Sequence, residues 1–226
     1  MRELLIIVGN RPQYIKLGIL ISELKINKIQ FKILDTGQHY DKNLSNYFFD
    51  NFGFEPNYNF NIRSGDKLKI ISKIINKLNN YLLKKKYEDI LVFGDTNTTV
   101  ASAIVAAYKN LNLYHIESGE RTFYRHEFPE EINRVITDNL SNILFACSKA
   151  AVNNLKAEGF KPSRIKFTGD LMYDLFKKTQ KKIINLSKNK ITNLNLKPYD
   201  YCIATIHREE NCKREIIKQY LKILDS

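Results

Sequence analysis

The 226-residue chain lacks the features that mark membrane and secreted proteins. It has no run of about 18 apolar residues, so no membrane-spanning helix is predicted and no membrane partner is expected. The apolar stretch near the N-terminus is short and is interrupted by the segment GNRP at 9–12. That pattern indicates a first core strand and not a signal peptide, which needs a longer apolar region and a small-residue cleavage site.

Cysteine is also scarce. The three cysteines, Cys147, Cys202 and Cys212, are odd in number and unevenly spaced. They form no metal-binding motif, so no metal site is predicted. A few unpaired thiols are typical of a reduced compartment, and we therefore expect a cytoplasmic protein.

Glycine-rich cofactor loops are absent as well. The turn after the first predicted strand fits neither the GxGxxG fingerprint of dinucleotide-binding folds nor a Walker loop. The sequence therefore gives no sign of a nucleotide cofactor.

Positive charge is plentiful but not concentrated. The formal net charge of +12 would suit an acidic partner. However, the lysines are spread along predicted helices and mixed with asparagine and isoleucine. The densest cluster, Lys84–Lys86, lies at a helix end, where cations favour the helix dipole in any case. No concentrated basic stripe occurs, so nucleic-acid binding is not predicted.

The sequence predicts strands that alternate with helices, beginning with a strand at Glu3–Val8 and a helix at Pro12–Lys25. This alternation predicts an α/β fold built on a parallel sheet. Ligands of such open sheets bind outside the carboxyl ends of the strands.

Two helices show clear local signals. A long amphipathic helix is predicted at about Asp66 to Lys86, and its packing face consists of Leu68, Ile71, Ile74, Ile75, Leu78 and Leu82. Ser148 is predicted to cap a later helix that runs to Glu158.

Acidic residues follow two predicted strands at that edge. The strand at 90–93 leads to Asp95, the strand at 113–116 leads to Glu117, and Glu131 follows in the next predicted helix. Taken singly, Asp95 could be a helix cap and Glu131 a favourable first-turn carboxylate. Because the topology brings them to one crevice, we expect them to act together.

Basic residues are predicted at the same edge. Arg11 and Lys16 lie at or within one turn of a helix N-terminus, which favours an anion. Arg11 could equally be a solvated loop cation. His39 follows the strand at 31–36 and could contact a ligand or simply lie on the surface.

The C-terminal part of the sequence changes character. After a helix predicted from Leu171 to Asn185, a lysine- and asparagine-rich stretch without periodicity indicates a linker, followed by a strand at 199–206 and a final helix. We divide the chain into a domain at 1–185 and a second region at 186–226. One strand and one helix cannot bury a core, so a second domain is cut short or these elements dock on the first.

Seven segments resemble the non-hydrolysing UDP-N-acetylglucosamine 2-epimerase family in the family's order and spacing. They are GNRPQYIKL (9–17), TGQHYD (36–41), GDTNTTVA (94–101), HIESGERT (115–122), PEEINRVITD (129–138), TGDLMYD (168–174) and HREEN (207–211). The sequences around TGQHYD and GDLMYD are more similar to those of the branch that acts on UDP-2,3-diacetamido sugars. Family members run on for well over a hundred further residues, so the resemblance implies a C-terminally truncated chain.

The resemblance implies a GT-B-type fold of two Rossmann-like domains, the second incomplete here, with a UDP-sugar between them. It implies a cofactor-free inversion at C2, by elimination of UDP to a glycal and re-addition, for surface polysaccharide precursor synthesis. A homodimer is expected by the same analogy.

Site residues follow from the matched segments. Arg11 and Lys16 correspond to the phosphate-side cations, and Asp95, Glu117 and Glu131 to the acid/base carboxylates. His207 corresponds to a histidine that contacts the diphosphate, and substrate contacts are further expected at His39 and Arg208.

Two alternatives remain open from the sequence. The chain could be an inactive or weakly binding fragment of such an epimerase, because the missing part carries most of the nucleotide contacts in the family. It could also be a GT-B glycosyltransferase, which shares the architecture but transfers the sugar to an acceptor. The carboxylate set together with HREEN favours the epimerase.

Overall fold

The computed structural model describes residues 2–37, 52–62, 65–124, 128–190, 201–206 and 214–224, with the backbone alone for 181–190. The chain divides into two compact units, Met1–Lys178 and Thr179–Ser226. The domain boundary after residue 185 stays a prediction.

The first unit is built on a parallel sheet, as the sequence predicts. In the described residues the sheet has seven strands in the order β3-β2-β1-β4-β5-β6-β7, and every pair is parallel. The strands are β1 (Leu4–Val8), β2 (Phe31–Asp35), β3 (Tyr58–Asn59), β4 (Asp89–Phe93), β5 (Asn112–Ser118), β6 (Ile143–Ala146) and β7 (Ile165–Phe167).

In the described residues, helices lie between most consecutive strands, as is usual for parallel pairing. The described helices are α1 (Arg11–Ile26), α2 (Lys67–Lys84), α3 (Asn97–Tyr108), α4 (Pro129–Leu140), α5 (Lys149–Ala157), α6 (Leu171–Lys190) and α7 (Arg214–Leu224), with a short 3-10 turn at Pro162–Arg164. Helix α6 continues beyond its predicted end at residue 185.

Strand β1 lies in the middle of the sheet because its sequence, LLIIV, is apolar on both faces. Leu5 and Ile7 pack on one face in a cluster with residues of α2 and α3. Ile6 and Val8 pack on the other face against α1. All four side chains are fully buried, so the sheet is covered by helices on both sides at this strand.

Helix α2 carries the predicted apolar stripe, but the buried positions differ from those expected. Ile70, Ile74 and Leu78 are buried at four-residue spacing, whereas Leu68 is 75% exposed. Asp66 caps the helix, and Leu68, two residues before the buried Ile70, lies on the opposite side of the helix from it. The predicted inclusion of Leu68 in the packing face is therefore wrong.

The second unit contains the C-terminal part of α6, from Thr179, and helix α7. Residues 201–206 form no strand, contrary to the strand predicted over 199–206. A strand is defined by hydrogen bonds to a neighbouring strand, and the structure describes none beside these residues. Among the described residues, no helix combines the length and apolar character needed to cross a membrane.

The strand order places a crevice at the carboxyl edge of the sheet. The chain leaves β1 toward β2 on one side, whereas β4 pairs with β1 on the other side. Connections that diverge in this way leave an open space at the ends of the two strands, where ligands of open α/β sheets bind.

Candidate active site

Gln13 fixes the crevice between β1 and β4. Its side chain is buried, its Oε1 accepts a hydrogen bond of 2.8 Å from the Gly9 amide, and its Nε2 donates 2.7 Å to the carbonyl of Phe93. The same Nε2 lies 3.1 Å from the hydroxyls of Thr96 and Thr99. One amide group therefore joins the ends of two strands to the start of α3.

Gly9 is required by the closeness of the two loops. A Cβ added there would lie 2.3 Å from the hydroxyl oxygens of Thr36 and Thr98, far inside van der Waals contact. Those two hydroxyls are themselves hydrogen-bonded at 2.8 Å. Only glycine allows the end of β1 to pass so close to them.

Lys16 and Glu117 form an ion pair across the crevice. The side chain of Lys16 is 10% exposed and that of Glu117 is 37% exposed. A buried ammonium requires an opposite charge, and Glu117 supplies it. The structure thus pairs a predicted anion-binding residue with a predicted acid/base residue.

Glu117 also has an unusual backbone. Its φ angle is +67°, and β5 shifts register with β6 around this residue. A left-handed conformation costs a residue with a side chain about 1–3 kcal/mol, and such costs cluster at functional sites. Its carboxylate lies 3.2 Å from where a Cβ on Gly94 would be, so glycine at 94 leaves room for it.

Asp95 is not a helix cap. Thr96 caps α3, with its hydroxyl accepting from the Thr99 amide at 3.3 Å. The Asp95 carboxylate instead pairs with the guanidinium of Arg134, and the Asp95 carbonyl accepts 2.8 Å from the side chain of Asn133. Helix α4 thus holds Asp95 by both backbone and side chain.

Glu131 is buried and fully engaged. It is 1% exposed and accepts hydrogen bonds from the amide and hydroxyl of Thr122 at 2.9 and 3.0 Å, and from the amide of Phe123 at 3.2 Å. Arg134 approaches it at 3.4 Å. Burial opposes ionisation, but these donors outweigh it and hold the pKa of Glu131 below its ordinary value.

Arg134 therefore lies between Asp95 and Glu131. The charged residues of the site form two sets. One set is Lys16 with Glu117, and the other is Arg134 with the two remaining carboxylates. Asp95, at 28% side-chain exposure, and Glu117 are open to a ligand, whereas Glu131 is closed. Two open carboxylates beside fixed cations can exchange protons with a bound molecule that carries negative charge.

Of the other predicted residues, Arg11 is the exposed first residue of α1. His39, His207 and Arg208 lie outside the described residues. The structure adds residues to which the sequence analysis gave no role, chiefly Gln13 and Arg134. Both lie in segments that resemble the family, but their contacts join positions more than 35 apart, so periodicity and spacing could not identify them.

In the described part of the chain, no group of three or more His, Cys, Asp or Glu side chains is arranged to hold a metal ion. The acidic residues of the crevice are instead neutralised by Lys16 and Arg134.

Fold and site together define a doubly wound α/β protein with a polar, charged crevice at the switch point of its sheet, the class to which many nucleotide-binding enzymes belong. The family profile described as UDP-N-acetylglucosamine 2-epimerase matches residues 22–226. The chain belongs to this family.

Individual relatives agree with this assignment. A UDP-N-acetylglucosamine 2-epimerase homolog of Methanococcus maripaludis is 41% identical over 210 residues, covering 92% of this chain and 58% of the relative. The UDP-2,3-diacetamido-2,3-dideoxy-D-glucuronate 2-epimerase of Pseudomonas aeruginosa is 36% identical, with the same coverage of 92% and 58%.

Solved structures are similar as well. The Methanocaldococcus jannaschii UDP-GlcNAc 2-epimerase in complex with UDP-GlcNAc and UDP superposes with a TM-score of 0.87 at 36% identity, covering 99% of this chain and 63% of that one. The chain therefore spans about three fifths of the length of these relatives.

Proposed function

We propose that this chain carries the acid/base half of a UDP-N-acetylhexosamine 2-epimerase site. The observation that carries the proposal is a pair of ion pairs, Glu117 with Lys16 and Asp95 with Arg134, at the ends of the neighbouring parallel strands β5 and β4. Family membership supports it, because relatives named as UDP-GlcNAc 2-epimerases share this part of the chain.

The reaction begins with removal of the C2 proton of the sugar by a carboxylate. The bond between C1 and the diphosphate oxygen breaks, UDP leaves with the electron pair, and a glycal remains. A proton then adds to the opposite face of C2 while UDP re-adds at C1. Because UDP departs as an anion, positive side chains near the diphosphate lower the barrier.

We assign the two proton transfers to Asp95 and Glu117, since a catalytic carboxylate must reach the substrate. Their partial exposure supports this assignment, whereas Glu131 is closed and already accepts from Thr122 and Phe123. Glu131 instead orders the loop at 122–124. Arg11 and Lys16 bind the diphosphate.

His39, His207 and Arg208 complete the substrate contacts in this proposal. The family resemblance alone supports their roles. We further propose that the working protein is cytoplasmic and forms a homodimer. Light scattering of the purified chain would test the dimer.

The experiment is exchange of the C2 proton of UDP-N-acetylglucosamine in D₂O, followed by proton NMR. We expect wild-type exchange, and a loss of about 10²–10⁴-fold in Asp95→Asn and in Glu117→Gln, the range for removing a general acid or base. Glu130→Gln is the matched control, because Glu130 is an exposed neighbour of the site on α4. An unchanged rate in both site variants would contradict the assignment.

Calorimetry with UDP tests the alternative that the chain is a binding fragment. Binding of UDP without any exchange by the wild-type chain would identify a binding fragment that lacks turnover. The same assay on UDP-2,3-diacetamido sugars decides between the two substrate classes named among the relatives.

A further inference from the structure

His115 is fully buried beneath the site, and both of its ring nitrogens are engaged. Nδ1 lies 2.7 Å from a carboxylate oxygen of Asp138, and Nε2 lies 2.8 Å from the carbonyl oxygen of Gly94. Because the ring has no exposed surface, it cannot contact a substrate. Its role must therefore act through the groups to which it is bonded.

Nε2 donates to Gly94. A carbonyl oxygen can only accept a hydrogen bond, so Nε2 carries a proton. On the other side of the ring, burial raises the pKa of Asp138, but its interactions with His115 and Arg121 outweigh burial and hold that pKa below its ordinary value. The ring is therefore held between a carbonyl and a carboxylate.

Asp138 connects the ring to the turn after Glu117. Its second oxygen accepts 3.0 Å from the Gly119 amide and lies 2.8 Å from the guanidinium of Arg121. Arg121 in turn pairs with Glu158 at 2.7 Å. The buried guanidinium of Arg121 therefore lies between two carboxylates, those of Asp138 and Glu158.

We propose that His115 is a positioning residue that sets the distance between Asp95 and Glu117. Its Nε2 holds the carbonyl of the peptide unit joining Gly94 to Asp95. Its Nδ1 contacts Asp138, whose second carboxylate oxygen accepts from the amide of Gly119. Glu117 thus lies between His115 and Gly119, both of which are held by these bonds. The bonds maintain the left-handed backbone of Glu117.

The proposal rests on the proposed function, and it predicts a specific kinetic signature. Binding of the diphosphate depends on Arg11 and Lys16, which His115 does not contact in the described residues. Proton transfer depends on the separation of two carboxylates, and a displacement of about 1 Å can cost about 100-fold in rate. Loss of the ring should therefore lower kcat and leave UDP affinity nearly unchanged.

Two conservative variants each keep one of the two contacts of the ring. In His115→Gln the side-chain amide reaches the position of Nε2 and keeps the bond to Gly94. In His115→Asn the amide reaches the position of Nδ1 and keeps the bond to Asp138. We expect kcat to fall about 100-fold in the Asn variant and about 10-fold in the Gln variant, with the dissociation constant for UDP within about twofold of wild type.

Ser141→Ala is the control, because Ser141 is also buried at the end of α4 and the hydroxyl that the variant removes donates to the carbonyl of Thr137. It should cost stability without changing kcat. Equal kcat in wild type and both His115 variants, or parallel losses of kcat and UDP binding, would overturn the proposal.

A second measurement does not depend on activity. Nitrogen-15 NMR of the wild-type chain should show a slowly exchanging ring N–H signal from Nε2 of one histidine, absent in His115→Gln. Absence of a proton on Nε2 of His115 would overturn the proposal, even if the variants fail to fold. Absence of exchange activity in the wild type with this signal present would contradict the proposed function and leave the hydrogen bond from His115 to Gly94 established.

Discussion

Lys16 on α1 is paired with Glu117 at the end of β5, although 101 positions separate them in the sequence. The pair joins the predicted anion-binding side of the crevice to the predicted acid/base side. A diphosphate that binds at the start of α1 would share the ammonium with Glu117. Substrate binding and a proposed catalytic carboxylate are therefore linked through one side chain.

Replacing Lys16 with methionine should weaken UDP binding and slow exchange together. Methionine is similar in length but leaves Glu117 without its cation. Charged hydrogen bonds contribute about 1.5–3 kcal/mol, so we expect UDP affinity to fall about 10–100-fold. Titration calorimetry with UDP measures this change. Lys25→Met, at an exposed position of the same helix, should bind UDP as wild type does; unaltered affinity in Lys16→Met would remove Lys16 from the site.

Replacing Arg134 with lysine should lower the exchange rate with little change in UDP affinity. The guanidinium reaches Asp95 and Glu131 at once, whereas an ammonium is a single point charge and cannot span both carboxylates. We expect about a 10-fold or larger loss in exchange rate, since misplacing a catalytic group by a fraction of an ångström has effects of this size. Steady-state kinetics decide the matter, and a change in KM alone would count against this role for Arg134.

Replacing Glu131 with glutamine should destabilise the protein in a pH-dependent way. The pKa of Glu131 is lowered in the folded state from its ordinary value of 4.5, so its ionised form stabilises the fold fully above pH 4.5. This stabilisation is lost as the pH falls through the folded-state pKa. The variant should be about 1–3 kcal/mol less stable than wild type at pH 7, and the difference should shrink below pH 4.5.

Urea unfolding of both proteins from pH 7 to pH 3 tests this expectation. Protonated Glu131 resembles glutamine, so the two stability curves should converge in acid. Curves that stay parallel would show that Glu131 does not contribute through its charge. Glu130→Gln, one position away and exposed, should follow the wild-type curve throughout.

Replacing Gly9 with alanine should destabilise the first unit. The added methyl would lie 2.3 Å from two threonine hydroxyls, and relieving such an overlap typically costs about 1–3 kcal/mol. Thermal unfolding followed by circular dichroism measures the cost. Gly65→Ala provides the control, because a Cβ there would meet nothing within 4 Å. Equal midpoints for the two variants would show that the loop at Gly9 can move aside.

Much of the fold could be predicted from the sequence because local patterns determine it. The apolar strands β1 and β4, the capping serine of α5 and the repeat of α2 depend on residues within one turn or one strand. The short strand β3 escaped prediction, since its pairing with β2 depends on a neighbour more than twenty positions away. On α2 the predicted stripe included Leu68, which is exposed, and left out Ile70, which is buried, because the buried face is rotated around the helix relative to the predicted one.

The candidate site was predicted less completely. Topology alone placed Asp95 and Glu117 at one edge of the sheet, because parallel strands end on the same side. It could not show that Arg134 lies between Asp95 and Glu131, that Glu131 is closed off by Thr122 and Phe123, or that His115 is bonded on both sides. Each of these facts is a contact between distant segments.

The sequence by itself determined the parallel α/β architecture, the edge where chemistry belongs and the residue types available there. Only the tertiary structure decided which carboxylates are open, which are occupied and which cation neutralises each. The physical reason is that strand and helix patterns record local packing, whereas the pairing of buried charges depends on three-dimensional distances that no local pattern encodes.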